Sequence, residues 1–190
     1  MDPRKILADL QKADIKSILK KAGGNVTKYL SAELTKVMRK TPKFATAPQI
    51  GKLYIASYSA KYALTLEYWD KTPLFMPISY SEKGNIIGIN FHYLPPKVRQ
   101  SLLVQLMKYA SNKKLDDTTK LRLSYTMLTA ASKLKVVQPT IHSYIPGRFK
   151  SKIVEIPANL WSTAMILPTQ NFVGASAQTV YNDSMKTKGK

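Results

Sequence analysis

Two histidines, His92 and His142, are the chain's only side chains whose ordinary pKa lies close to neutrality. Each sits in a β-forming run between aromatic or aliphatic neighbours. Neither has an acid or a nucleophile at a spacing that marks a catalytic pair. A structural histidine satisfied in the core is the better reading of both. Acids are equally sparse. Glu67 and Asp70 stand three apart, and Asp116 and Asp117 are adjacent. A metal-dependent nuclease needs clustered carboxylates, commonly with a lysine a residue or two from one of them. Glu155 is followed by Ile156 and Pro157, so that arrangement is missing there. Asp116-Asp117 reads more simply as a cap on the positive end of a helix. The phosphate-loop, dinucleotide, serine-elbow and zinc-protease signatures are all absent from the sequence. The expectation is a chain with no catalytic residue, no metal site and no cofactor.

Phosphate binding is the chemistry the residues favour. If 118–134 is a helix, Arg122, Thr126, Thr129 and Lys133 fall within roughly 60° of one another around its axis. Cations that neutralise phosphate and hydroxyls that donate to it then share one stripe. Leu121, Leu123, Tyr125, Met127, Leu128 and Leu134 occupy the opposing, core-like angles. Lys113 and Lys114 precede the cap and could extend the patch. So could Arg148, Lys150 and Lys152, which alternate along a predicted strand and would share one face. Arg99 falls near the apolar side of its helix, where it either snorkels or grips something specific. None of these signals reads base sequence. For Tyr54, Tyr58, Tyr68, Trp69, Tyr80 and Tyr93, core and cross-strand packing is a stronger reading than stacking on exposed bases.

Overall charge points the same way. The 190 residues hold 30 Lys+Arg against 11 Asp+Glu, a formal net charge of +19. Self-repulsion on that scale destabilises a compact fold, and its usual counterpart is a polyanionic partner. Two basic segments, 1–43 and 97–152, flank a nearly balanced stretch over 44–96. At 44% hydrophobic the chain can bury a core, which argues against a disordered basic tail. With no cysteine, disulfides and thiolate metal sites are excluded. The start MDPRKILADLQKADIKS has no apolar stretch of the secretory kind, and no run approaches the length of a membrane span.

The elements that position these residues follow from periodicity. Asp2 and Pro3 open a helix with apolar residues at Ile6, Leu7, Leu10, Ile18 and Leu19, which Gly23-Gly24 stops. Val26, Leu30, Leu34, Val37 and Met38 form the stripe of a second. The expected domains are a basic helical hairpin over 1–43, a Pro-containing linker over 44–50, a core domain over 51–184 and a loose tail over 185–190, looseness being expected from about residue 181 onward. Strands are predicted at 52–58, 74–80, 86–92, 140–144 and 151–156, with a turn at 81–85. Pro77 marks an edge or a bulge. Helices are predicted from Pro95-Pro96 and over 118–134. The fold class is α+β: the hairpin, then a small antiparallel sheet that could close into a barrel, with two packed helices.

The blocks GKLYIASYSAK (51–61), YWDKTPLFMPI (68–78), GINFHYLPPKVRQSLL (88–103), DDTTKLRLSY (116–125) and VYNDS (180–184) carry a resemblance. In type and order they resemble the DNA end protector family of large contractile-tailed, T-even-type bacteriophages, and NFHYLPP is the most specific part. The resemblance covers about 51–184. It implies a non-catalytic virion protein that binds the termini of packaged double-stranded DNA, a binding the charge pattern makes independent of sequence, and shields them from host exonuclease. It further implies a place in the virion, and in the host cytoplasm during assembly and after injection. Other virion proteins are expected partners through the hairpin, and no membrane is. The alternative is a structural neck, tail or baseplate subunit whose basic surface docks onto acidic virion partners.

Overall fold

The structure is a computed structural model, and it describes residues 43–110, 112–161, 164 and 169–186. The hairpin expected over 1–43 therefore lies, apart from Lys43, outside the described residues.

Alternation of large apolar side chains builds the sheet. In β2 (Leu53–Ile55) and β4 (Leu74–Tyr80), Leu53, Leu74 and Met76 point to one face, and Tyr54 and Phe75 to the other. β5 (Ile86–Asn90) is joined to β4 by a turn in which the N–H groups of Ser81 and Gly84 bond Asn85 and Ser81 carbonyls at 2.9 Å. Gly84 has φ +74°, the left-handed conformation such a turn favours glycine for. With β1 (Lys43–Ala45), β6 (Ile141–Tyr144) and β7 (Ile153–Ile156) these strands form a six-stranded antiparallel sheet in the order β1-β7-β2-β4-β5-β6. Pro77 stands in a central strand, where the register shifts between Pro77 and Ser79. Of the two readings of that proline, the bulge is the one realised.

The sheet does not close into a barrel. Its outer strands, β1 and β6, do not pair with each other. The cause lies in the two-sided burial. A closed barrel fills its interior with one set of side chains, whereas here both faces carry their own cluster. Leu53, Leu74, Met76 and Ile89 pack with helical leucines on one side, and Tyr54, Phe75, Tyr144 and Ile153 form an aromatic cluster on the other. An open sheet covered on both faces is what that pattern requires.

Two helices supply the first cover. α1 (Pro96–Ala110) buries Leu103 and Leu106, and α2 (Asp117–Ser132) buries Leu128, Ser124 and Ala131. Asp116 caps α2: Oδ1 accepts from the Thr119 N–H at 2.9 Å and Oδ2 from its hydroxyl at 2.7 Å. The side of α2 expected to be core is narrower than the pattern predicts, since Tyr125 is exposed and the helix ends at Ser132, short of the exposed Leu134. β3 (Trp69–Asp70) pairs with β8 (Phe172–Val173) in a short ribbon beside the main sheet. At Gly174, φ is +88° and a Cβ would collide with the Glu67 carbonyl, so only glycine fits there. α3 (Ala177–Met185) follows and buries Val180 and Ser184. It runs through 181–185, where looseness was expected, because Val180 anchors it in the core.

Candidate nucleic-acid interface

Asp70 and His92 form a densely bonded polar pair in the interior. Asp70 ends β3, and His92 sits in the 3-10 turn Phe91–Tyr93 that follows β5. His92 Nδ1 lies 2.7 Å from Asp70 Oδ2, and Nε2 lies 2.9 Å from the Thr169 hydroxyl. Asp70 also accepts from the Asn90 side chain at 3.2 Å and from the Thr72 and Asn171 N–H groups at 2.9 and 3.2 Å. Burial alone would raise the Asp70 pKa, but the His92 contact and the backbone N–H bonds bring it below the usual carboxylate range. Burial pushes the His92 pKa down against the pull of Asp70. At neutral pH the pair is a carboxylate and a neutral imidazole. Nδ1–H then donates to Asp70 and Nε2 accepts from Thr169.

The sequence reading took His92 as a satisfied core histidine, and the geometry agrees, since the ring is fully buried. It missed the partners, which lie 22 and 77 residues away. A local signal for Asp70 did exist. Its bond to the Thr72 N–H is an Asx turn, which the run Asp-Lys-Thr-Pro favours.

Arg99 is an interior residue, 3% exposed. Its Nη2 donates to the carbonyls of His92 and Leu94 at 3.2 and 3.3 Å and to the Tyr181 hydroxyl at 3.1 Å. Of its two sequence readings, specific grip is the one realised. What it grips is the chain itself, so it is not on the surface that a duplex could touch.

The other candidate residues lie at or near the surface. Lys113 and Lys114 are exposed in the turn before α2, Arg122 and Thr126 are exposed on α2, and Lys133 is the exposed C-cap residue. Thr129 is half-buried. The Thr126 hydroxyl donates to the Arg122 carbonyl at 3.0 Å, which leaves only its lone pairs for a ligand. A phosphate oxygen could not use them.

The strand expected to align Arg148, Lys150 and Lys152 begins only at Ile153. Arg148 ends the 3-10 turn Pro146–Arg148, and Lys150 and Lys152 lie in the connection that follows. Pro146 withholds an N–H and the turn bends the chain, so a regular ladder cannot start earlier. One bridge remains, Tyr58 to Phe149, flanked by bonds from the Ser59 N–H to the Arg148 carbonyl at 3.1 Å and from the Lys150 N–H to the Ser57 carbonyl at 2.8 Å. Phe149 packs on the aromatic cluster, while Leu128 of α2 packs in the aliphatic one.

Among the described residues, ion pairs occupy Lys52 with Glu155, Lys120 with Asp117 and Lys186 with Asp183. None of them takes up Lys113, Lys114, Arg122, Lys133, Lys150 or Lys152. Lys152 instead lies over the Phe44 ring, 4.5 Å from its centre. Among the described residues, no three His, Asp or Glu side chains come together as metal ligands.

The family model described as phage T4 terminal DNA protecting protein matches residues 5–185. That span takes in residues 5–50, which contributed nothing to the motif resemblance. No curated protein matches the chain, and no solved structure does.

Proposed function

This chain belongs to the phage T4 terminal DNA protecting protein family, and on that premise we propose that it binds the ends of double-stranded DNA through the sugar–phosphate backbone and shields them sterically from exonuclease. It does so without catalysis and without reading sequence. The observation that carries the mechanism is the set of exposed cations that form no ion pair among the described residues: Lys113, Lys114, Arg122, Lys133, Lys150 and Lys152. An unpaired surface lysine or arginine keeps its full charge for a phosphate, and its binding releases condensed counterions. A virion location, with action in the host cytoplasm after injection, fits such a role. Contacts with other virion proteins through residues 1–43 belong to the same proposal.

Salt dependence tests it. If these six cations each neutralise one phosphate, log K against log[salt] should be linear with a slope of about −5. A flat response would remove the electrostatic mechanism.

A further inference from the structure

A cavity of about 540 Å³ opens beside the short β3–β8 ribbon, and the backbone-binding role does not use it. Its size suits a small ligand or a single nucleotide. Its walls are aromatic. Tyr58, Tyr68, Trp69, Tyr93 and Tyr144 line it, and the Tyr93 ring lies 4.3 Å from that of His142 and 6.0 Å from that of Tyr68. Tyr62 is 59% exposed in the lining, with the Lys61 ammonium 4.9 Å from its ring centre.

The polar groups are few and telling. The His142 ring is part of the wall, yet its Nε2 is shut from solvent and has no hydrogen-bond partner among the described residues. An unsatisfied buried nitrogen is costly, and a ligand edge that reached it would relieve that cost. The imidazole is neutral at pH 7, because burial pushes its pKa down to about 4. Nε2 therefore offers a base edge a single hydrogen bond, as donor or acceptor according to the tautomer. Asp70 also lines the cavity, but its carboxylate is held by His92, Asn90, Thr72 and Asn171.

The cavity is tied to the basic connection at 148–152. Tyr58, one of its walls, is bridged to Phe149, between Arg148 and Lys150. Cations for successive phosphates and rings for a base are thus neighbours in the fold.

We propose that this cavity receives the unpaired terminal nucleotide of a DNA strand, with the base against the rings, its phosphate at Lys61 and the following phosphates along Arg148–Lys152. The proposal rests on the DNA-end reading above and adds a source of end preference. Turning an internal base out of a duplex costs stacking and pairing energy, and an already unpaired base at an end escapes most of it. Backbone contacts alone cannot tell an end from the middle. An aromatic cavity can, and it does so for any sequence, because every base has a π face.

The test compares the full chain with Tyr62→Ala, an exposed position whose change leaves the core intact. Three DNAs of equal length are bound: a linear duplex with one unpaired nucleotide on each strand end, a blunt duplex and a covalently closed circle. The wild type should prefer the unpaired end over the circle about tenfold or more. Tyr62→Ala should weaken unpaired-end binding about five- to a hundredfold and leave the circle unchanged, as expected for loss of one base–aromatic stack. A terminal 5-iododeoxyuridine should crosslink under ultraviolet light to Tyr62, Tyr68 or Tyr93. Equal binding to all three DNAs, or crosslinks only elsewhere, would overturn the cavity assignment while leaving backbone binding in place. Failure to bind any of the three would remove the DNA-end reading itself, and this assignment with it.

Discussion

His92 Nδ1 and Asp70 Oδ2 meet at 2.7 Å in the interior, and together they hold the end of β5 against the β3–β8 ribbon. Asp70 accepts from the Thr72 and Asn171 N–H groups as well, so one carboxylate ties three separate chain segments together. The contact is a structural joint. His92 is fully buried, and its second nitrogen is occupied by Thr169.

Asp70→Ala should therefore destabilise the fold by roughly 3–5 kcal/mol, because it strands the buried donors of His92 and Asn90 and two backbone N–H groups. Equilibrium urea unfolding measures this. A loss below about 0.5 kcal/mol, the level of an ordinary surface change, would show that the joint carries little.

Stability should fall as the solution is acidified. The folded pKa of His142 is lowered from 6.5 to about 4 and that of His92 is lowered as well, in both cases chiefly by burial. Between about pH 6.5 and 4 the unfolded chain takes up a proton at His142 that the folded ring refuses. Stability is then full above about pH 6.5 and declines below it. The Asp70 pKa, lowered from 3.8, acts in the same sense at lower pH: its contribution is present above the unfolded value and is lost as pH falls through the folded one. The urea midpoint should be lower at pH 5 than at pH 7.5. A midpoint that is flat or higher at pH 5 would contradict the buried, neutral assignment of these rings.

Arg99 and Arg122 should separate cleanly. Arg99 is interior and bonded to the His92 and Leu94 carbonyls, whereas Arg122 is exposed on α2. Arg99→Ala should lower the melting temperature. Arg122→Ala should leave it unchanged and reduce the salt slope of DNA binding by about one. Calorimetry and salt titration of both variants check this. A change of salt slope in a folded Arg99→Ala would place that guanidinium on the DNA.

Local patterns were legible in the sequence, and long-range joints were not. β-forming runs bounded by turn residues located β4 with the bounds the structure gives it, Leu74–Tyr80, and the Asp116-Asp117 cap signal located the start of α2 without choosing between the two acids. β3 and β8 are two residues each, too short to leave a periodic signal. Barrel closure could not be judged, because alternation shows that a strand has two buried faces only once its neighbours are known. Core packing is the expectation for Tyr54 and the structure bears it out, but that Tyr54 and Phe75 build a separate second face shows only once the strands are paired. For the candidate interface, residue type identified the cations but not their grouping. The turn at Pro146–Arg148 removed the strand that was to align three of them. The cavity needed residues from 58 to 145 to converge, which no spacing rule anticipates.

Exonuclease digestion of linear duplex DNA, with and without the protein and beside binding to a closed circle of equal length, tests the central claim most directly. The account predicts that the linear ends are protected and that the circle is bound more weakly. Equal binding to both forms, with digestion proceeding at its uninhibited rate, would contradict end protection and leave a basic surface suited to docking on acidic partner subunits.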